Sequence, residues 1–110
     1  MSLASVLQTL FGVRTRAEIN PLVSSIGTSA EKVLSNDPDR LAYTVVNLSS
    51  DIIYVGLDSS VSSSRGIRLD ANGGEVSMLF DEDFQTTGYE LWAVSAGAAS
   101  AIYVLAVKEY

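Results

Sequence analysis

Residues 40–69 read R-L-A-Y-T-V-V-N-L-S-S-D-I-I-Y-V-G-L-D-S-S-V-S-S-S-R-G-I-R-L, and this stretch decides the fold class. Residues 41–48 and 52–57 are short runs rich in Val, Ile and Tyr, the side chains that suit a pleated, half-buried surface. Ser49-Ser50-Asp51 is a short polar connection, so the two runs are expected to pair as a hairpin. The Ser-rich segment 59–64 then leads through Gly66 into a third strand ending at Leu69. Every residue here serves shape. None is an obvious nucleophile, base or metal ligand.

The same pattern continues in both directions. Asn72-Gly73-Gly74 supplies positions that tolerate positive φ, and so a tight turn into a strand over 75–80. Thr87-Gly88 leads into 89–95, the small residues of 96–100 turn the chain, and 101–108 closes it. Upstream, Asn36-Asp37-Pro38-Asp39 combines Asx chemistry with a fixed proline φ, a strong turn signal. Residues 30–34 read as a short first strand before it. Short strands with turns about every 8–12 residues argue for a small antiparallel β-sandwich or barrel.

Alternation along these strands is imperfect. Residues 43–46, 52–55 and 101–107 carry apolar groups on both faces. A sandwich normally keeps one polar face on each sheet. Two-faced apolar strands therefore imply that part of the outer surface is covered, by a terminal segment or by another subunit. A homo-oligomer is the expectation.

Residues 13–29 read as an irregular connector, broken by Pro21, Gly27 and several Ser and Thr. Ahead of them, Leu3, Val6, Leu7, Leu10 and Phe11 fall at i, i+3, i+4, i+7 and i+8, one stripe of a helix over 2–11. Ser2 suits its cap and Gly12 its end. Ten residues make a helix of about 15 Å, marginal alone in water. These five side chains are thus the candidate docking residues of an N-terminal arm, on its own domain or on a neighbour. The arm's polar face is Ser, Gln and Thr without Lys or Arg, which argues against a membrane surface. No apolar run approaches the roughly 20 residues of a spanning helix. The expected organisation is an arm and connector over 1–29 and one β domain over 30–110.

Composition narrows the chemistry. The chain has 110 residues, no His and no Cys. That removes the commonest general base, the commonest metal ligand, disulfides and thiolate chemistry. The net charge is −6, and from Asp70 onward seven acidic residues face one basic one, Lys108. Such a surface repels phosphate, so nucleic acid is not an expected partner.

The remaining clusters are weak as sites. Asp81-Glu82-Asp83 lacks the ligand spacing of a calcium loop and reads as a solvated turn. Nothing brings Asp58 and Asp70 together as an acid/base pair. The Ser run has no His or Lys to activate a hydroxyl. Asn47-Leu48-Ser49 matches a glycosylation sequon of the kind that arises by chance. Trp92, Tyr89 and Tyr103 would suit a sugar-stacking platform, although core or interface positions are more usual for such residues. The residues point to no enzyme activity, metal or cofactor.

One resemblance adds to this reading. Arg40 after an Asn/Asp-Pro turn, Val45 to Ser49 ending in Asn-Leu-Ser, Ile53 to Asp58, Ser60 to Ser62 and Gly66 to Leu69 resemble a family of small structural proteins of tailed viruses. Tyr89 to Gly97, Y-E-L-W-A-V-S-A-G, is similar to that family's closing strands. The resemblance spans residues 30–107, and the N-terminal 29 residues depart from it. It implies a jelly-roll-like β-sandwich of the head-decoration, cement or fibre-base type, without enzyme activity. It further implies assembly as trimers or rings in the virion, in the host cytoplasm, on a major capsid protein or another virion subunit. Tail, collar or baseplate placement, and a carbohydrate- or ligand-binding sandwich, are the competing expectations.

Overall fold

The computed structural model describes residues 15–79 and 87–109. Nine strands fill them: β1 (Thr15–Ile19), β2 (Ser25–Ile26), β3 (Glu31–Leu34), β4 (Arg40–Asn47), β5 (Ile53–Gly56), β6 (Ile67–Leu69), β7 (Glu75–Leu79), β8 (Leu91–Ser95) and β9 (Ser100–Glu109). One sheet runs β1-β9-β4-β7, with β2 also on β9, and the other runs β3-β8-β5-β6. All pairings are antiparallel. The protein is a β-sandwich.

β1 and β2 are one strand interrupted. β1 pairs with the C-terminal end of β9, and β2 continues along β9 at Ala101 and Ser100. Between them Asn20 takes a positive φ of 44°. Its backbone N–H donates to the Val104 carbonyl (2.8 Å), and its Oδ1 accepts from the Val104 N–H (2.7 Å). The side chain thus stands in for a backbone carbonyl and carries the ladder past Pro21, which has no N–H to give. With β1 and β2 taken together, eight strands remain, and the two sheets hold them in the order of a jelly roll. The sheet reaches into residues 15–29, which the sequence presents as a connector ahead of the β domain.

The core lies between the sheets. Tyr43, Val45, Ile102, Val104 and Ala106 come from one sheet, and Val33, Leu34, Ile53, Val55, Leu69, Leu91 and Ala93 from the other. Strict alternation of buried and half-buried positions along β5 and β8 follows from the two-residue period of a strand.

The expected hairpin of residues 41–48 with 52–57 does not form. β4 and β5 lie in different sheets, so Ser49-Ser50-Asp51 is an arch across the sandwich. The cause is Asn47, which is fully buried. Its Nδ2 donates to the carbonyls of Asp51 (2.6 Å), Leu69 (3.1 Å) and Asp70 (3.2 Å). Its Oδ1 accepts from the Ser49 N–H (2.9 Å) and hydroxyl (2.7 Å). The turn after β6 is a second arch, with Asn72 at φ 60° and Gly73 at φ 121°, and Gly73 donates to the Asn47 carbonyl. A third arch joins β8 to β9, where the Ser100 hydroxyl donates to Asp51 Oδ2 (3.1 Å). Polar side chains close this end of the sandwich and satisfy the backbone groups that an arch leaves without ladder partners.

Candidate assembly face

The register places the outer side chains of the β1-β9-β4-β7 sheet in rows. Ala17, Val107, Ala42 and Leu79 form one row across all four strands. Ile19, Leu105, Thr44 and Ser77 form the next. Tyr103, Val46 and Glu75 form a third across β9, β4 and β7. Ile19 is 59% exposed, Leu79 45% and Tyr103 37%. The Thr44 and Ser77 hydroxyls bond to each other at 3.0 Å. Glu75 brings the one charge in these three rows, at a corner on the edge strand. The two-faced apolar pattern of 101–107 thus ends in a mostly apolar outer face, on which Ala42, Val46, Leu105 and Val107 are half-buried.

Strand spacing and rise give this face a footprint of ~400 Å². At about 25 cal/mol per Å², covering it yields ~10 kcal/mol gross. Association costs about 4–15 kcal/mol, so the face alone sits near break-even as a docking surface. It needs either many copies or additional contact area.

The outer face of the β3-β8-β5-β6 sheet differs in kind. The Trp92 indole N–H donates to Glu90 Oε2 (2.6 Å), and the Lys32 ammonium lies 5.5 Å from the Trp92 ring centroid. Lys32 also pairs with Glu90 at 3.4 Å. The indole hydrogen bond, with Lys32 beside it, holds the Glu90 carboxyl below its ordinary range. Arg68 pairs with Asp70 at 2.7 Å. This is a solvated surface whose charges are matched among themselves.

The other candidates separate. Tyr103 lies on the outer face of one sheet and Trp92 on the outer face of the other, so Trp92, Tyr89 and Tyr103 do not share a platform. Asp58 and Asp70 lie at opposite ends of the β5–β6 hairpin. In the Ser run, the Ser60 hydroxyl and N–H both bond to Asp58 Oδ1, which lowers the Asp58 pKa. Asn47 of the sequon is buried. Among the described residues no group of three His, Cys, Asp or Glu side chains is placed to hold a metal ion. Leu3, Val6, Leu7, Leu10 and Phe11, and Asp81-Glu82-Asp83, lie outside the described residues.

A cavity of about 350 Å³ opens between β6 and β7, lined by Tyr43, Val55, Val61, Ile67, Val76 and Met78. Exposed Asp58 and Arg65 complete its wall. Its lining is mostly apolar and holds no pair of carboxylates.

Ile19 and Ala17 were not visible as face residues in the sequence, because they sit in the segment that reads as irregular. The available signal was the period-two spacing of Thr15, Ala17 and Ile19. No protein-family model matches the chain, and no curated protein or solved structure is significantly similar to it.

Proposed function

We propose that this chain is a non-enzymatic virion structural protein, a decoration or cement subunit that stabilises neighbouring capsomers. The observation that carries this reading is the apolar outer face of the β1-β9-β4-β7 sheet, set against a charge-matched opposite face. A protein built for catalysis would gather its polar groups in a cleft. Here the buried polar side chains Asn47, Arg40 and Ser100 are bonded to backbone or to the neighbouring side chains of Ser49, Ser95 and Asp51, as scaffold. The resemblance of residues 40–69 and 89–97 to tailed-virus structural proteins supplies the virion. Jelly rolls recur in viral capsid proteins, but also in lectins and cupins, so the fold by itself assigns no function.

The mechanism is physical. Each subunit would lay its apolar face and the N-terminal stripe Leu3, Val6, Leu7, Leu10 and Phe11 on neighbouring subunits. One contact near break-even is weak, but a subunit held at two points gains the second contact at high effective concentration. Net negative charge keeps free subunits soluble before assembly.

Quantitative mass spectrometry of purified particles tests this. Hundreds of copies per particle are expected for a decoration protein. Tens or fewer would move the protein to tail, collar or baseplate, and absence from the particle would overturn the reading.

A further inference from the structure

We infer that β7 is a docking edge for an extended segment of another protein chain, which adds a strand beside β7 and drops alternate apolar side chains into the slot between β6 and β7. This rests on the edge and the slot, not on the virion reading.

The edge strands of the two sheets differ. β1 carries Arg16 and Glu18, and β3 carries Lys32 and a register break between Lys32 and Leu34. β6 is three residues long with Arg68 at its centre. Charge, irregularity and short length are the devices that keep an edge from recruiting a strand. β7 has none of them after Glu75. Val76-Ser77-Met78-Leu79 is uncharged, lacks proline and stays in unbroken register with β4. Among the described residues no strand pairs with the other side of β7. The occupant such an edge selects is extended backbone, through main-chain hydrogen bonds.

The slot supplies the side-chain half of the recognition. Val76 and Met78 point from β7 toward the core but are only partly buried. Ile67 pairs with buried Val55 and shares its inner face, yet is 47% exposed. Apolar groups aimed inward therefore stand open between the two sheets, around the cavity of about 350 Å³. An apolar cavity of ~150 Å³ holds benzene, so this one has room for about two apolar side chains. Side chains at alternate positions of an added strand all face one way. Those on the core side of a strand beside β7 enter this slot.

The mouth adds a charge preference. Arg65 is exposed on the cavity wall, and its side chain has no hydrogen bond or ion pair among the described residues. Lys32, Arg40, Arg68 and Lys108 are each bonded elsewhere. Asp58, on the same wall, is engaged by the Ser60 N–H and hydroxyl. A segment with an acidic residue next to its apolar ones matches the unpaired guanidinium.

Fluorescence anisotropy of the full chain with a labelled, capped peptide tests the inference. The probe alternates leucine and threonine between terminal aspartates. Saturable binding is expected. Alternate N–H groups of a strand face the same neighbour, so methylating one alternate set of peptide nitrogens should weaken binding at least tenfold and methylating the other set should not. Ile67→Asp, at an exposed position, is expected to weaken binding at least tenfold with unchanged circular dichroism. Arg65→Ala should weaken it severalfold and flatten its salt dependence. Tyr103→Glu, on the outer face of the other sheet, should leave it unchanged. No saturable binding at millimolar peptide, equal binding of the two methylated peptides, or full binding by Ile67→Asp would each overturn the inference. Equal binding would mean that the slot takes apolar groups without reading backbone. Such a failure would leave the copy number per particle still to decide the virion reading.

Discussion

The carboxamide of Asn47, at the end of β4, donates to the backbone carbonyl of Leu69, at the end of β6, 3.1 Å away in the opposite sheet. One buried side chain therefore ties two arches together, because it also reaches Asp51 and Asp70. Asn47→Ala removes all five hydrogen bonds of the Asn47 side chain and takes a donor from each of the Asp51, Leu69 and Asp70 carbonyls. An unmet buried polar group costs about 1–3 kcal/mol, so a loss of ~3 kcal/mol is expected in urea denaturation. Asn47→Asp should be worse at neutral pH, since it aims a carboxylate at three carbonyl oxygens. The same burial forecasts that the sequon stays unmodified in folded protein, which intact-mass measurement checks.

At the other end of the sandwich Arg40 plays the matching part. Its guanidinium donates to the carbonyls of Ser35 (2.7 Å), Tyr89 (3.3 Å) and Thr87 (3.4 Å). Burial lowers its pKa, opposed by nearby Asp37, but an arginine stays charged throughout. Arg40→Ala is expected to cost about 3 kcal/mol, through the lost charge-assisted bonds and the carbonyls left behind. Arg40→Lys should recover little of this. An ammonium is a point charge and cannot fork to three carbonyls on separate segments. Equal stability of Arg40→Lys and the parent in urea would contradict this account.

These two residues also show what a sequence conceals. The strands were legible from their Val, Ile and Tyr content, and β3, β6 and β7 begin and end within a residue or two of their expected bounds. Which sheet each strand joins was not legible. Ser49-Ser50-Asp51 has the length of a hairpin turn, and the buried carboxamide of Asn47, with Ser49 and Ser100, holds it as an arch. An Asn before Leu-Ser reads the same whether it faces solvent or core. Asn20-Pro21 likewise reads as a break, whereas the Asn20 side chain continues the ladder to Val104. The assembly face was half legible. Its β9 and β4 residues stood out as apolar on both sides, but Ile19 and Leu79 join them only through the register.

Acid sensitivity should centre on Asp37. Lys108 Nζ lies 2.7 Å from Asp37 Oδ2 and 3.7 Å from Glu18 Oε1. The Lys108 hydrogen bond holds the Asp37 carboxyl below its ordinary range, and Asp37 in turn raises the Lys108 ammonium. A carboxylate with a depressed folded pKa stabilises the fold at pH values above its unfolded value of about 3.9. That contribution disappears as the pH falls through the lower folded value. The raised Lys108 works in the opposite sense: its contribution is present below about pH 10.4 and is lost as the pH rises through the folded value. Asp37→Asn should therefore flatten the acid limb of stability against pH, measured as urea midpoints. Parallel acid limbs for variant and parent would refute this.

Gly74 forecasts a backbone effect rather than a contact. A Cβ built there would collide with the backbone of Asp70 and lie 2.8 Å from the Leu69 carbonyl carbon. Its N–H donates to the Asp70 carbonyl at 3.0 Å, and its own carbonyl accepts from the Asn47 N–H at 2.8 Å. The arch cannot shift to admit a methyl group without breaking these bonds. Gly74→Ala is expected to cost ~2–4 kcal/mol by overpacking and strain. By contrast, Gly27→Ala meets no atom within 4 Å, so its thermal midpoint should stay near that of the parent.

Removing residues 1–12 separates folding from assembly. Among the described residues, all thirteen of the core cluster lie between Ile26 and Ala106, and the pairing of β1 with β9 runs from Thr15 to Ile19. The truncated chain should therefore keep its β circular dichroism and a cooperative urea transition. Under the proposed docking role of the stripe, its docking on neighbouring subunits should weaken by at least tenfold, because the apolar face alone sits near break-even. Adding back a peptide of residues 1–12 should not restore the original affinity, because it forfeits the effective concentration of a covalent arm. If the truncated chain instead unfolds, the stripe of Leu3, Val6, Leu7, Leu10 and Phe11 belongs to the core of its own protomer.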